Sequence, residues 1–395
     1  MTNIGLVTDE MIHLAGSRTG GFGWATRTLH HELAAHPELD GDPVVITRND
    51  AVRRANGGLG RVGPDSGRRD LLALRPTLDR DPIGLARLMR HRFRAFVLID
   101  YRPKYASLLR TFRRTPVVLW SRDPRGPEQQ AQIETLREPG YPDLRPSGID
   151  RIATERLPEA LAGREAGSGF QLAVVTPFLQ ERIAGAYGIE PGAVTHLPNI
   201  LPPVDVRPED RSERPTIVTV GRLDAIKRTW VAVELARRLP DVDFVIAGKR
   251  HADSRWEPTS LPDNVELAGE VTGEAKDRLY RRAWLLLNTS IHEGLPVTFQ
   301  EALAYQVPVV SYLDPEQVPS RFGHAAGPEP GDGLAGVDRL EQGVRSLLED
   351  HERREACGRN GQAWVRETHN RQRFHAAWQE LARAWTSVPG SLVRS

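Results

Sequence analysis

Residues 285–304, LLLNTSIHEGLPVTFQEALA, constrain the fold more than any other stretch of the chain. An apolar run of strand length leads into His292, Glu293, Gly294 and Leu295 as a turn. Pro296 suits the first helical position, so the segment reads strand, turn, helix. A helix that opens behind a glycine presents unpaired backbone N–H groups and partial positive charge, a setting that favours phosphate. Pro296 has no N–H to offer; Gly294, Leu295, Val297 and Thr298 do. Glu293 precedes the helix and Glu301 lies about a turn and a half inside it, roughly 10 Å away along the axis at 1.5 Å per residue. That is too far for a shared proton. It suits a ligand with hydroxyls at both ends and a diphosphate between them, each carboxylate accepting from a diol. A nucleotide-sugar has that form. A surface acid beside a solvated helical glutamate is the plainer alternative.

The rest of the chain supplies the same alternation twice. NIGLVT, PVVIT, RAFVLID, TPVVLWS, QLAVVT and AVTHLP have strand character, with a helical TLHHELAAH after the first. After residue 215 come TIVTVG, VDFVIAG, NVELAG, LLLNTS and VPVVSYL as strands, with TWVAVELARRL, GEAKDRLYRRA and DRLEQGVRSLLED as helices. This predicts an α/β protein with two doubly wound parallel sheets, whose ligands bind beyond the C-terminal strand ends. The expected boundaries are 1–196, a linker over 197–215, a second domain over 216–365 and a helix over 366–386. The linker holds five prolines and seven charged residues. Residues 122–164 read as a long connection with helical pieces, a candidate lid or acceptor loop. Phe374, Trp378, Leu381 and Trp385 make an apolar stripe that must pack on something, and the last helix is expected to return to the N-terminal domain.

Length and charge agree with two domains. At 395 residues the chain exceeds one ordinary core. The net charge is +1, yet residues 51–120 hold 16 Lys+Arg against 5 Asp+Glu. That block can meet an anionic acceptor or a membrane surface, or be a solvated face. Lysine is scarce, with Lys104, Lys227, Lys249 and Lys276 against 49 arginines, so each lysine invites a reason. The lone Cys357 excludes a disulfide framework and any multi-cysteine metal site. No stretch approaches eighteen apolar residues, so a cytoplasmic protein with at most peripheral membrane contact is expected. Asp241-Val242-Asp243 reads as the polar lead-in of a strand rather than a cation site.

GRLDAIKR, residues 221–228, places Gly221 and Arg222 at a strand end and Lys227 just beyond it. Two cations there can clamp a diphosphate, Arg222 as a fork and Lys227 as a point charge. Gly20, Gly21 and Gly23 lead into a helix after the first strand, where the backbone can approach a ligand closely.

With these pieces in order, residues 216–370 resemble the C-terminal domain of a retaining GT-B nucleotide-sugar glycosyltransferase, of the large family 4-like group with two glutamates eight positions apart. The matching pieces are VGRLDAIKR, FVIAGKR, VELAGEV, LYRRAWLLLNTSIHEGLPVTFQEALA and VPVVSY. The TGGFG loop and the LPN segment carry a weaker resemblance in the first half. The resemblance implies two Rossmann-like domains facing a central cleft that closes on donor. It implies Arg222 and Lys227 on the donor diphosphate and Glu293 on the sugar hydroxyls. Gly294 and Leu295 would serve phosphate or sugar through their N–H groups, and Glu301 the ribose. Gly20 and Gly21 would approach the phosphates, Val271 the base. Gly221, Lys249, Pro296, Val297 and Thr298 complete the expected donor site.

The implied reaction moves a sugar from a nucleotide-sugar, UDP first and GDP next, to a hydroxyl of a small molecule, glycan or lipid head group. Configuration is kept, without metal, resident cofactor or nucleic-acid partner. Retention through a glycosyl-enzyme calls for carboxylates about 5 Å apart, which the Glu spacing does not offer, so front-face attack assisted by the leaving phosphate is expected. The sequence departs from the group where a histidine often follows the PVVLWS strand, since Ser121 or Arg122 stands there, and Ile200 follows LPN where a glycine is usual. Arg122 and Asp123 become candidates on the acceptor side. His13, His30 and His31 read as helix-surface or packing residues. A nucleotide-sugar epimerase, a phosphorylase and a non-catalytic donor-binding subunit are the competing readings.

Overall fold

The computed structural model describes residues 3–11, 14, 20–39, 41–62, 69–75, 78, 81–141, 157–162, 164, 169–190, 192–251, 254–257 and 260–386. The chain divides into two units, each with its own sheet. The first comprises residues 1–126, 152–200 and 371–395, the second 127–151 and 201–370.

In the first unit eight strands are ordered β3-β4-β2-β1-β5-β6-β7-β8. They are β1 (Asn3–Val7), β2 (Asp42–Thr47), β3 (Leu59–Gly60), β4 (Leu71–Ala73), β5 (Phe93–Ile99), β6 (Val117–Ser121), β7 (Phe170–Val174) and β8 (Val194–His196). Neighbours pair parallel except β3 and β4. The central strands are buried nearly throughout, which explains their unbroken Val, Ile and Leu content. The second unit orders β11-β10-β9-β12-β13-β14, all parallel: β9 (Thr216–Val220), β10 (Asp243–Ala247), β11 (Val265–Gly269), β12 (Leu285–Asn288), β13 (Val309–Ser311) and β14 (Gly323–Ala325). The Thr229–Arg238 helix buries Val231 and Leu235 in this unit's core, with Leu239 just beyond its end beside them. Both sheets have the doubly wound α/β architecture that the alternation predicts.

Three details differ from the sequence reading. Residues 201–215 do not hang free: the Arg211 guanidinium donates to the carbonyls of Tyr280, Arg281, Ala283, Tyr305 and Gln306, which ties the segment to the second unit. Residues 127–141, expected within the first domain, also belong to the second unit. Leu136 is buried in that unit's core, and Glu138 Oε2 accepts the N–H groups of Arg255 and Trp256 at 2.8 Å each. The remainder of the supposed lid, 142–156, lies outside the described residues. The C-terminal helical region is two helices, His351–Thr368 and Arg371–Thr386, broken at His369 and Asn370.

The Arg371–Thr386 helix groups with the first unit. Its whole apolar stripe is buried, with Phe374, Trp378, Leu381 and Trp385 at 0–2% exposure. Trp378 Nε1 donates to Leu39 O at 3.1 Å and Trp385 Nε1 to Gln171 Oε1 at 2.7 Å, so both indole N–H groups are satisfied where they are buried. His30, on the Gly21–Ala35 helix, is a packing residue whose Nε2 meets Asp70 Oδ2 at 2.9 Å, while His31 is exposed and His13 lies outside the described residues.

Candidate active site

The second unit brings two strand ends together. β9 lies between β10 and β12, and its Thr219 hydroxyl donates to Leu287 O on β12 at 3.2 Å. The chain leaves β9 at Gly221, whose φ of +156° and N–H bond to Ala247 O turn it along the sheet edge. Gly248, just past β10, must be glycine, because a Cβ there would stand 1.7 Å from Gly221 O. Arg222 and Lys227 follow on this loop. From β12 the chain turns through 289–296 into the Val297–Ala304 helix. Pro296 is the residue before that helix rather than its first, and the N–H groups of Val297 and Thr298 stand at its open end. Gly221, Arg222, Lys227, Asn288, Ser290 and Thr298 line a cavity between the loop and the turn.

Glu293 sits at the centre of this turn. Its Oε1 accepts from Lys227 Nζ at 2.5 Å, Ser290 Oγ at 2.6 Å and Asn288 Nδ2 at 3.0 Å. Burial pushes the carboxyl up, but the adjacent Lys227 ammonium and the three donated hydrogen bonds outweigh it and hold Glu293 below the usual glutamate value. It is therefore an ionised acceptor at neutral pH. Glu301 lies inside the helix in separate surroundings, with Lys276 Nζ at 2.6 Å from Oε1 and Tyr280 OH at 3.0 Å from Oε2. Burial and the neighbouring Glu301 carboxylate push the Tyr280 hydroxyl well up, so it stays a donor. Each glutamate of the pair is thus held by one of the chain's four lysines. Arg222 lies 3.3 Å from Asp224 Oδ2, and the Asp224 carboxylate also accepts the Lys227 N–H, fixing the loop.

Loop and turn are fastened by a residue that the sequence reading passed over. Arg228 is fully buried, and its guanidinium donates to Thr289 O at 2.8 Å, Ser290 O at 3.1 Å and Glu329 O at 2.6 Å. In return the Thr289 hydroxyl donates to Lys227 O at 2.6 Å, and Ile291 N–H bonds Ile226 O at 3.0 Å. Burial lowers the Arg228 guanidinium to about 10, so it remains charged at neutral pH. Its backbone is left-handed, with φ +49°, an unusual conformation for arginine. No sequence signal separates Arg228 from the other arginines; only the neighbouring lysine points to this loop.

Residues 205–364 match the family described as "Glycosyl transferases group 1". The matched stretch is less than half of the chain. It contains every candidate donor residue of the second unit, from Gly221 to Glu301. Poly(glycerol-phosphate) alpha-glucosyltransferase of Bacillus subtilis is 27% identical over 154 residues, a match spanning 35% of this chain and 21% of that relative. Among solved structures, sucrose-phosphate synthase of Thermosynechococcus elongatus aligns over 97% of this chain and 98% of its own, with TM-score 0.72 and 15% identity. Anabaena HepE, solved in complex with UDP and glucose, aligns over 98% and 100%, with TM-score 0.66 and 15% identity. These likenesses establish the GT-B architecture of two Rossmann-like units.

Gly294, Leu295 and Pro296 are buried in the turn, while Val297 and Thr298 are half-buried at the helix start. Lys249 is exposed just beyond β10, its carbonyl accepting the Leu223 N–H. Val271 is half-buried in the connection after β11. Asp243 opens β10 and pairs with Arg214, consistent with a strand lead-in.

The candidates of the first unit sit on its own sheet edge. Gly20 caps the Gly21–Ala35 helix, no acidic residue occupies its first turn, and a Cβ at Gly21 would meet nothing within 4 Å. Arg122 and Asp123, at the end of β6, are both buried and engaged locally. Arg122 Nη2 donates to Asn199 Oδ1 at 2.9 Å and the guanidinium covers Trp120, while Asp123 accepts from Arg125 at 2.6 Å. The N–H groups of both bond Asp100, a carboxyl that burial pushes up.

Proposed function

We propose that this chain transfers a hexosyl group from a nucleoside-diphosphate sugar, UDP-hexose first, to an acceptor hydroxyl, with the anomeric configuration retained and without a metal. The observation that carries this reading is the ionised Glu293 held 2.5 Å from Lys227 on the turn ahead of the Val297–Ala304 helix. Lys227 has three N–H donors and uses one on Glu293, which leaves the ammonium able to meet phosphate oxygens as well. Glu293 accepts sugar hydroxyls. As the glycosidic bond breaks, negative charge grows on the leaving diphosphate, and Lys227, Arg222 and the N–H groups at the helix start stabilise it; one preorganised donor of this kind contributes ~3 kcal/mol. The proton of the attacking hydroxyl passes to the departing phosphate on the same face, which keeps the configuration. Glu301, steadied by Lys276 and Tyr280, accepts from the ribose in this reading.

HepE, solved with UDP and glucose, and the glucosyltransferase name of the Bacillus relative support the choice of donor. Incubation with a panel of UDP-, GDP-, ADP- and dTDP-sugars should release free nucleotide with one base strongly preferred, and Glu293→Ala should abolish release with the fold intact. Binding without release in the wild type would instead indicate a non-catalytic donor-binding subunit.

A further inference from the structure

The first unit carries a second group of chemistry-bearing side chains, remote from Gly20 and Gly21 on the same helix. Glu32, in the last turn of the Gly21–Ala35 helix, and His36, the residue that caps its C-terminal end, lie four positions apart, and His375 comes from the Arg371–Thr386 helix. Glu32 lies eleven residues beyond Gly21, about 16 Å along the axis. One ligating atom from each of Glu32, His36 and His375 lies within 4.8 Å of the other two. Glu32 Oε1 stands 2.7 Å from His375 Nε2 and 3.4 Å from His36 Nε2. Glu32 is 6% exposed and both histidines are half-buried, so the carboxylate is drawn into the protein while the rings remain reachable.

His36 lies between two carboxylates. Its Nδ1 lies 2.9 Å from Glu38 Oε1 while its Nε2 faces Glu32. A neutral imidazole donates from one nitrogen and accepts at the other, so a ring set between two carboxylates can turn one nitrogen to a carboxylate and offer the other to an ion. With Nδ1–H on Glu38, Nε2 presents a lone pair toward Glu32 and His375. A carboxylate behind the far nitrogen of a ligating histidine is the usual outer support of a metal site, fixing the tautomer and raising ligand basicity.

We propose that Glu32, His36 and His375 form a site for a divalent transition-metal ion of the zinc type, with water in the fourth position. Two histidines and a glutamate are an established zinc donor set, and bonds of about 2.0–2.2 Å around a tetrahedron set neighbouring ligand atoms about 3.4 Å apart. The His36–Glu32 separation already has that value, and the His375–Glu32 contact opens slightly on binding. Arg371 competes, since its Nε lies 2.7 Å from the same Glu32 oxygen, but its side chain is 61% exposed and free to swing into water. The ion would clamp the terminal helix to the first helix of its unit, joining residues more than 330 positions apart in sequence.

Calorimetric titration of zinc into the chelator-treated full chain tests this. One zinc per chain is expected, lost in His36→Ala and in His375→Ala, about 10–100-fold weaker in Glu38→Gln, and undiminished in Arg371→Gln. Cobalt should give the visible absorption of a tetrahedral site in the wild type and not in the histidine variants. Circular dichroism shows whether each variant is folded, and Glu38→Gln, at an exposed position outside the ligand set, keeps the test open if a histidine variant is not. No stoichiometric zinc in the wild type, or zinc binding that survives both histidine substitutions, would overturn the proposal.

Discussion

Glu293 keeps its charge in a place where burial opposes it, because Lys227, Ser290 and Asn288 all donate to one of its oxygens. Its depressed pKa makes a stability statement with a definite sign. The pair's contribution is fully present above the ordinary glutamate range, about pH 4.3, and is lost as pH falls through the lower folded value. Thermal unfolding from pH 7 to pH 3 should therefore show wild type above Glu293→Gln at neutral pH, with the gap closing in acid; a gap constant over that range would contradict the pairing. Arg228 is the other decisive side chain. A glycine there would suit φ +49° and relieve backbone strain, yet it would strand the buried carbonyls of Thr289 and Ser290 and release that of Glu329. Arg228→Gly should lose about 3 kcal/mol in urea unfolding, since the lost charged hydrogen bonds outweigh ~1 kcal/mol of relief. A variant more stable than wild type would show that the staple contributes nothing.

At the scale of elements, the sequence is legible where one local pattern decides the outcome and opaque where a distant partner does. β1, β2, β5, β6 and β7 are continuous apolar runs between turn residues, and strands covered on both faces read that way. β3, β4 and β14, two or three residues each, are too short for any periodicity, and their place is fixed by neighbours. Residues 127–141 could not be assigned from sequence, because the partners of Glu138 lie more than a hundred positions onward. Within the site, the glutamates and Arg222 and Lys227 were legible from strand–turn–helix grammar. Arg228 was not, since 49 arginines look alike in sequence, and Lys276 was not, since its role depends on where the Gly273–Arg282 helix packs. The terminal helix shows both sides: its stripe announces burial, while the surface it covers is known only from contacts with Leu39, Trp120 and Gln171. Trp378→Ala should cost the first unit about 3–5 kcal/mol, measured by hydrogen exchange of β1 and β5–β8; unchanged protection there would detach the helix from that unit's core.

At the scale of the molecule, two units with separate sheets share one chain that crosses between them near residues 126, 152, 200 and 371. Because a ligand stabilises only the unit that binds it, saturating nucleotide should raise the unfolding transition of the second unit by ~2.7 kcal/mol at a hundred times its dissociation constant, and should do so for one base above the others. The proposed transfer requires the loop after β9 and the turn after β12 to act together as a diphosphate clamp. Titration of UDP into the wild type, Arg222→Gln, Lys227→Gln and the double variant measures that clamp most directly. Each single change should weaken binding by at least about tenfold, or ~1.4 kcal/mol, and the double change should leave little. Wild-type affinity retained in Lys227→Gln and Arg222→Gln would place the diphosphate elsewhere and contradict the assignment.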